Sequence, residues 1–185
     1  LPLGTARACG TRAVLAKETD IDIAVVGAGP AGLAAALALA HCGASVALIG
    51  PPPAVHTPRA LDTRTAALLE SSIDMLKALG VWDALLPHAA PLKAIRIIDA
   101  SGSLLRAPDV EFQAHELGLP AFGYNIANTA LVEVLYRQAA ATLPLLQPSN
   151  VDRIALVPDR ASLSSKQEWE ISARLVVGAD GRNSV

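Results

Sequence analysis

The chain has 185 residues, of which 52% are hydrophobic and 17% are charged, and its formal net charge is −2. This length allows one domain, or one domain with part of a second, and the apolar content excludes a disordered chain. A net charge near zero argues against nucleic-acid binding, which calls for a basic face. Cys9 and Cys42 are too few for a disulfide framework or a zinc site, so we expect a soluble, cytoplasmic protein.

Residues 1–19 are predicted to form a tail ahead of the folded part. Residues 1–17 contain three basic side chains and no acidic one, which faintly suggests a targeting segment, but they lack the apolar stretch of a secretory signal. The chain starts at Leu1 rather than at Met, and it stops at Val185, directly after a glycine-containing turn where a helix is expected to begin. We therefore expect an N-terminal portion of a longer protein.

The first folded segment predicts a complete βαβ unit. Residues 21–26 form an apolar, β-branched strand, and residues 27–32, with the sequence Gly-Ala-Gly-Pro-Ala-Gly, match G-x-G-x-x-G. Residues 33–42 then form an Ala- and Leu-rich helix that stops at Gly43. A second strand follows over residues 45–49, so the motif has the strand-to-helix context that a dinucleotide-binding loop requires.

Each glycine of this motif has a separate task. Gly27 permits a tight turn out of the strand, Gly29 lets the backbone approach a pyrophosphate, and Gly32 lets the helix pack closely on the strand. The N–H groups and the positive dipole end of the helix then hold the phosphates. The candidate cofactor-binding residues of the loop are Gly27, Gly29, Pro30, Ala31 and Gly32.

The usual acidic partner of this motif is missing. An Asp or Glu is expected about 20 residues further on, at the end of the second strand, where it holds the ribose hydroxyls. Gly50 stands at that place and three prolines follow it. The ribose must then be held by backbone groups or by residues elsewhere.

The centre of the chain opens with a proline-rich loop over residues 50–62. Residues 62–65 are predicted to start a helix that ends at Gly80, with Asp62 or Thr63 as its N-cap. Arg64, at the mouth of the loop, has two interpretations. It is a surface ion-pair partner, or it contacts a cofactor phosphate or ribose if the loop lies over the dinucleotide.

The rest of the chain predicts short strands around one long helix. An amphipathic helix begins at Asn128 and ends before Pro144, and residues 108–120 are either a loop over a substrate cavity or an exposed connection. Strands are predicted over residues 93–100, 143–147, 153–157, 168–172 and 174–177.

Asp180 and Gly181 follow the last predicted strand. A carboxylate on a glycine-flanked turn at the carboxyl end of a parallel strand is where α/β sheets place ligand contacts, although an ordinary Asp-Gly turn has the same sequence. The four histidines lack metal-ligand spacing, and no nucleophile or carboxylate pair stands out. We therefore predict no metal site, the sequence leaves the catalytic residues unknown, and a cofactor would carry any reaction.

Three segments together resemble a known family. They are Val-Gly-Ala-Gly-Pro-Ala-Gly at residues 26–32, Asp-Thr-Arg-Thr-Ala-Ala-Leu at 62–68 with Leu-Gly-Val-Trp at 79–82, and Leu-Val-Val-Gly-Ala-Asp-Gly-Arg-Asn-Ser at 175–184. Their order and spacing resemble the FAD-dependent aromatic-ring monooxygenases, which are the p-hydroxybenzoate hydroxylase-like flavoproteins. Within that family the chain looks most like the ubiquinone-biosynthesis hydroxylase branch, which the Tyr-Asn-Ile-Ala-Asn stretch at 124–128 also resembles.

The resemblance implies an α/β fold, a Rossmann-like FAD-binding domain with a parallel sheet. Residues 20–90 and 127–185 would form that domain, and residues 91–126 would interrupt it as the start of a β-rich substrate domain. By the same resemblance the three motif glycines would line the FAD pyrophosphate and Arg64 would reach the FAD. Asp180 would contact the ribose–pyrophosphate region and help with the nicotinamide cofactor.

The family's activity would make the whole protein an enzyme that uses NAD(P)H and O2 to hydroxylate a phenolic ring, here of a polyprenylated ubiquinone precursor. Peripheral membrane contact and assembly with other quinone-biosynthesis proteins are expectations that depend on this lipid-like substrate. One alternative is another FAD-dependent oxidoreductase of the same fold, such as a reductase or a halogenase. The other is a nucleotide-binding module that turns nothing over.

Overall fold

The computed structural model describes residues 19–53, 62–102, 106–166 and 169–181. The predicted tail up to residue 18 and most of the proline-rich loop lie outside the described residues. The helices and strands in chain order are β1 (Thr19–Val26), α1 (Pro30–His41), β2 (Val46–Ile49), β3 (Thr65–Leu69), α2 (Glu70–Ala78), α3 (Trp82–Leu85), β4 (Ala89–Pro91), β5 (Ala94–Ile97), β6 (Val110–Gln113), β7 (Gly123–Ala127), α4 (Asn128–Thr142), β8 (Leu145–Gln147), β9 (Arg153–Val157), β10 (Arg160–Ser164) and β11 (Glu170–Gly178).

A six-stranded sheet in the order β8-β2-β1-β11-β10-β9 forms the centre of the molecule. The strands β8, β2, β1 and β11 run parallel, and β10 and β9 continue the sheet as an antiparallel hairpin. Helices α1 and α4 contact each other on one face of the parallel part. The predicted α/β fold with a parallel sheet is therefore confirmed.

The central strands of this sheet are buried on both faces. Because side chains alternate along a strand, each of these strands contributes to a core cluster on either face. Val25 of β1 belongs to a core cluster with Leu33 of α1 and Leu135 of α4. Its neighbours Ala24 and Val26 belong to a second cluster on the opposite face. Strands buried on both faces read as continuous apolar runs, which explains the apolar sequences of residues 23–26 and 46–49.

Strand β11 is one strand of nine residues, where the sequence predicts two strands over residues 168–172 and 174–177. It pairs with β1 from the Thr19–Ile171 pair to the Val26–Gly178 pair, and its first half also pairs with β10. Because neighbours on both sides satisfy its backbone, the polar residues within it do not interrupt it.

The helix predicted to open at residues 62–65 begins instead at Glu70, after strand β3. Strand β3 pairs with β7, and Thr65 lies opposite Ala127 in that pair. This pairing joins segments far apart in the chain, and it overrides the helical spacing of the local apolar residues. The end of the helix agrees with the prediction, since α2 stops before Gly80, whose φ is +71°.

The segment between β2 and α4 contains a three-stranded sheet, β3-β7-β4, and a two-stranded sheet, β5-β6. We call the two-stranded sheet the ribbon. Residues 108–120, predicted as a loop or connection, therefore contain a strand, β6. One face of the ribbon, its apolar face, consists of side chains that are 42% to 58% exposed: Ile95, Ile97, Val110 and Phe112. The opposite face carries Arg96 and Glu111, which are cross-strand neighbours.

Helix α4 returns the chain to the main sheet. It begins at Asn128 and ends before Pro144 as predicted, and Leu131, Val134 and Leu135 on its buried side join the core beside α1. Within the four described ranges, no helix is both long enough and apolar enough to cross a lipid bilayer.

Candidate cofactor-binding site

The glycine-rich loop between β1 and α1 lies at the carboxyl edge of the parallel strands. At this edge Val26 of β1 pairs with Ile49 of β2 and with Gly178 of β11. Helix α4 leads into β8, which runs parallel to β2. The helix therefore ends at the edge where β8 begins, and its N-terminus lies at the opposite, carboxyl edge, with the N-terminus of α1. Open α/β sheets bind their ligands at this edge.

Gly27 and Gly32 are points of close backbone contact. A Cβ on Gly27 would lie 2.3 Å from the carbonyl oxygen of Ala179, and a Cβ on Gly32 would lie 1.9 Å from that of Gly27. Gly27 also has a φ of +120°, which side chains other than glycine rarely adopt. The N–H of Gly27 donates to the Ile49 carbonyl and the N–H of Ala179 donates to the Val26 carbonyl, both at 2.7 Å. These contacts fix the loop against the segment that follows β11.

Gly29, in contrast, faces open space among the described residues, because a Cβ built on it would meet none of their atoms within 4 Å apart from those of its chain neighbours. It is the N-cap of α1, where in the described part of the chain no side-chain hydrogen bond caps the helix, and no acidic residue stands in the first turn of α1. The first N–H groups of a helix have no partners inside it, and its N-terminus attracts negative charge. The loop, in which Pro30 and Ala31 are exposed, thus fits an anionic pyrophosphate.

Gly50 explains the missing acidic residue. A Cβ at this position would lie 2.8 Å from the backbone nitrogen of Ala28, and the N–H of Gly50 donates to the Gln147 carbonyl at 2.9 Å. The backbone at the end of β2 is therefore pressed against the glycine-rich loop, and a carboxylate side chain would not fit there without movement. The sequence shows the substitution but gives no sign of this contact.

Asp180 and Gly181 lie beside the same loop. The amide nitrogen of Asp180 is 2.7 Å from the position that a Gly27 Cβ would take, and the Asp180 side chain is half-buried. Gly181 is exposed, with a φ of +82°. The turn after β11 therefore places the backbone of Asp180 against Gly27 and the side chain of Ala179 against Gly32.

Arg64 is held at this edge through α4, because the N–H of Asn128 donates to the Arg64 carbonyl at 3.0 Å. Its side chain is 79% exposed and binds Asp62: the Nε–H donates to Oδ1 and an Nη2–H donates to Oδ2, both at 2.8 Å. In the described part of the chain, the hydrogen bonds of Arg64 reach Asp62 and Asn128 and not the glycine-rich loop.

The Asp62–Arg64 contact favours the charged form of both side chains. The hydrogen bond from the Arg64 guanidinium is the largest cause that lowers the pKa of Asp62 from 3.8 to about 2, and the backbone N–H of Arg64 adds to it. The same contact raises the pKa of Arg64. Asp62 is predicted from sequence only as a helix cap, although the Asp-x-Arg spacing is a local signal for this ion pair.

The described residues contain no group of three or more His, Cys, Asp or Glu side chains that is placed to hold a metal ion. The chemistry of the site comes instead from backbone N–H groups, one arginine and one carboxylate beside the carboxyl edge of the sheet. Such a loop on such a sheet defines a dinucleotide-binding α/β protein. Residues 20–185 match the FAD binding domain family, and the chain belongs to that family.

Two curated relatives are ubiquinone-pathway enzymes by name. The chain is 35% identical over 169 residues to the 3-demethoxyubiquinol 3-hydroxylase of Escherichia coli (strain K12), covering 88% of this chain and 42% of that protein. It is 33% identical over 169 residues to the ubiquinone hydroxylase UbiL of Rhodospirillum rubrum, covering 88% of this chain and 38% of that protein. The chain thus spans less than half the length of these relatives.

A solved structure shows the same fold. The p-nitrophenol 4-monooxygenase PnpA from Pseudomonas putida DLL-E4 superimposes with a TM-score of 0.68 at 18% identity, covering 91% of this chain and 43% of that chain. Together these similarities confirm the resemblance to FAD-dependent monooxygenases and to their ubiquinone hydroxylase branch.

Proposed function

We propose that this chain is the FAD-binding part of a flavin-dependent monooxygenase that uses NAD(P)H and O2 to hydroxylate a phenolic ring. The observation that carries the proposal is a contrast within the motif: Gly27 and Gly32 are pressed against backbone, whereas Gly29, at the N-terminus of α1, faces open space among the described residues. That arrangement is expected of a pyrophosphate cradle.

We expect different residues of the site to contact different parts of the cofactor. Gly27, Gly29, Pro30, Ala31 and Gly32 would receive the pyrophosphate through the N–H groups of the loop and of α1. Arg64 would donate to a phosphate or to the ribose, and Asp180 with Gly181 would contact the ribose–pyrophosphate region. When bound, FAD supplies the redox chemistry that the described side chains do not offer.

We propose the domain boundaries on the same basis. Residues 20–90 and 127–185 would belong to the FAD-binding domain, with residues 91–126 as the start of a β-rich substrate domain. The separate pairing of β5 with β6, which joins neither of the other sheets among the described residues, supports this division.

For the substrate we propose a polyprenylated phenol of ubiquinone biosynthesis, because the names of two relatives specify ubiquinone or its precursor. A cytoplasmic protein that contacts the membrane peripherally, and that assembles with other quinone-biosynthesis proteins, would suit so apolar a substrate. Pelleting with liposomes tests the membrane contact: protein that stays wholly in the supernatant contradicts it.

FAD binding is tested first, by titrating the purified chain with FAD and following flavin fluorescence. We expect saturable binding that Gly29→Val abolishes, because the added side chain fills the space for the pyrophosphate. Gly102→Val is the matched control, since a Cβ there also meets no atom of the described residues within 4 Å beyond its chain neighbours, and it lies in another loop. A folded chain, by circular dichroism, that does not bind FAD would contradict the proposal.

Turnover is tested with the protein that carries this chain, a short-chain demethoxyubiquinol analogue and NADH or NADPH. We expect consumption of O2 and a product one oxygen atom heavier by mass spectrometry. Oxidation of the nicotinamide without oxygen in the product would favour the reductase alternative. Activity on a simple phenol but not on the prenylated analogue would support the proposed monooxygenase activity and contradict the proposed substrate.

A further inference from the structure

The contact between Asp62 and Arg64 is specific in its geometry. Two parallel hydrogen bonds of 2.8 Å join the carboxylate to the guanidinium, and the backbone N–H of Arg64 donates to Oδ1 at 3.1 Å. Such bidentate pairs restrict the orientation of the guanidinium as well as stabilising it. The side chain of Asp62 is 30% exposed against 79% for Arg64, so the carboxylate is the better anchored of the two partners.

This contact occupies one edge of the guanidinium and leaves the other. Asp62 accepts from Nε and Nη2, which form one edge of the planar group. The edge formed by Nη1 and the second Nη2 hydrogen offers two further donors in a fork that matches phosphate oxygens. A guanidinium held in this way presents a preset pair of donors.

The pair also lies at the correct end of the fold. The N–H of Asn128, the first residue of α4, donates to the Arg64 carbonyl. The N-terminus of α4 is at the carboxyl edge of the sheet, where the glycine-rich loop and Asp180 lie. The backbone of Arg64 is thus tied to the edge where a dinucleotide would bind.

We propose that Asp62 is a positioning residue: it orients the guanidinium of Arg64 so that its second edge faces a phosphate of the bound dinucleotide. This inference rests on the proposed function, because it takes FAD as the ligand and Arg64 as its contact. Asp62 itself would not touch the cofactor and would act only through Arg64.

The sign of one substitution separates positioning from plain electrostatics. Asp62 carries a negative charge near an anionic ligand, so by charge alone its removal would tighten FAD binding. If Asp62 positions Arg64, its removal frees a long side chain that must then be ordered on binding, and binding weakens.

The test is an FAD titration of the purified chain, followed by flavin fluorescence. We expect Asp62→Ala to weaken binding about threefold, from the ordering of one side chain, and Arg64→Ala to weaken it about tenfold, from the loss of charged hydrogen bonds. The double variant should match Arg64→Ala alone, because Asp62 acts through Arg64. Asp62→Glu should recover part of the loss.

Glu133→Ala is the matched control, since Glu133 accepts one hydrogen bond from an exposed arginine, Arg137, on α4. It should leave FAD affinity unchanged, and circular dichroism should show that every variant is folded. Unchanged or tighter binding by Asp62→Ala, beside a weakened Arg64→Ala, would overturn the positioning role and leave the proposed function standing. Unchanged binding by Arg64→Ala would overturn the role of Arg64 and, with it, this inference. A folded wild-type chain that does not bind FAD would overturn the proposed function as well.

Discussion

Gly29 and Gly32 stand three positions apart in one motif, yet the atoms around them differ. The backbone of Gly27 lies against Gly32, and nothing lies within 4 Å of a Cβ on Gly29. The first is a packing requirement of the fold and the second leaves space for a ligand. Stability and binding are therefore separable by single residues of the same motif.

The first prediction uses this contrast. Gly32→Ala should lower the free energy of unfolding by about 3 kcal/mol, because its Cβ would overlap a backbone carbonyl. Gly29→Ala should change it by less than about 0.5 kcal/mol and still weaken FAD binding. Urea denaturation and an FAD titration measure the two effects. Equal loss of stability in both variants would contradict the open space at Gly29.

The second prediction concerns the charge state of Asp62. Since its pKa is lowered from 3.8 to about 2, the ionised carboxylate stabilises the folded chain above about pH 4, and that contribution disappears as the pH falls toward 2. Carboxyl carbon NMR should show little titration of Asp62 between about pH 5 and pH 3. In Arg64→Gln it should titrate near its ordinary 3.8.

Arg137→Gln serves as the control for that titration, because Arg137 is a similarly exposed arginine paired with Glu133. It should leave the pKa of Asp62 where it is in the wild type. A normal titration of Asp62 in the wild type would show that the ion pair does not persist in solution.

Among the elements, those that depend on neighbours in the sequence are the ones that sequence reasoning predicts. The first βαβ unit and α4 have local signals, such as the glycine-rich turn and the apolar spacing from Leu131. Strand β3 depends on its pairing with β7, and the continuity of β11 depends on β1 and β10. No local pattern reports such distant partners, so these elements are predicted wrongly.

The site divides in the same way. The glycine-rich loop and Asp180 are predictable because a motif and a strand end mark them. The contact of Gly50 with Ala28 is not, because it arises only when β2 packs beside the loop. The ion pair of Arg64 agrees with one of its two interpretations from the sequence. Its partner Asp62 is not predicted, because the sequence favours Asp62 as the cap of a helix that the structure does not form there.

The third prediction tests the hairpin that extends the sheet. Leu163→Ala in β10 should destabilise the chain by about 2–4 kcal/mol, because that side chain is fully buried. Leu156→Ala in the neighbouring strand β9 should cost less than about 0.5 kcal/mol, because that side chain is 85% exposed. Urea denaturation of both variants measures the difference. Equal costs would mean that β9 is covered in solution.

For the whole molecule, the ribbon is the feature that affects behaviour in solution. Its apolar face exposes four large side chains on one side of two paired strands, and such patches promote association. The described chain therefore combines a buried main sheet with a smaller sheet whose apolar face is exposed.

The fourth prediction follows from this face. The double variant Ile97→Ser with Phe112→Ser should bind less of the dye ANS and scatter less light at high concentration than the wild type, because the exposed apolar area shrinks. Glu111→Gln, on the opposite face of the ribbon, is the control for a change in the same strands. If dye binding falls equally in both, the apolar face is not its source.

The pairing of β1 with β11 has a consequence for biosynthesis. The partners of residues 19–26, at residues 171–178, leave the ribosome only about 8 to 30 s after them. Until then Gly27 lacks the contact with Ala179, and one side of β1 stays unpaired. We therefore expect the nascent chain to need protection from aggregation until residues 171–179 have emerged.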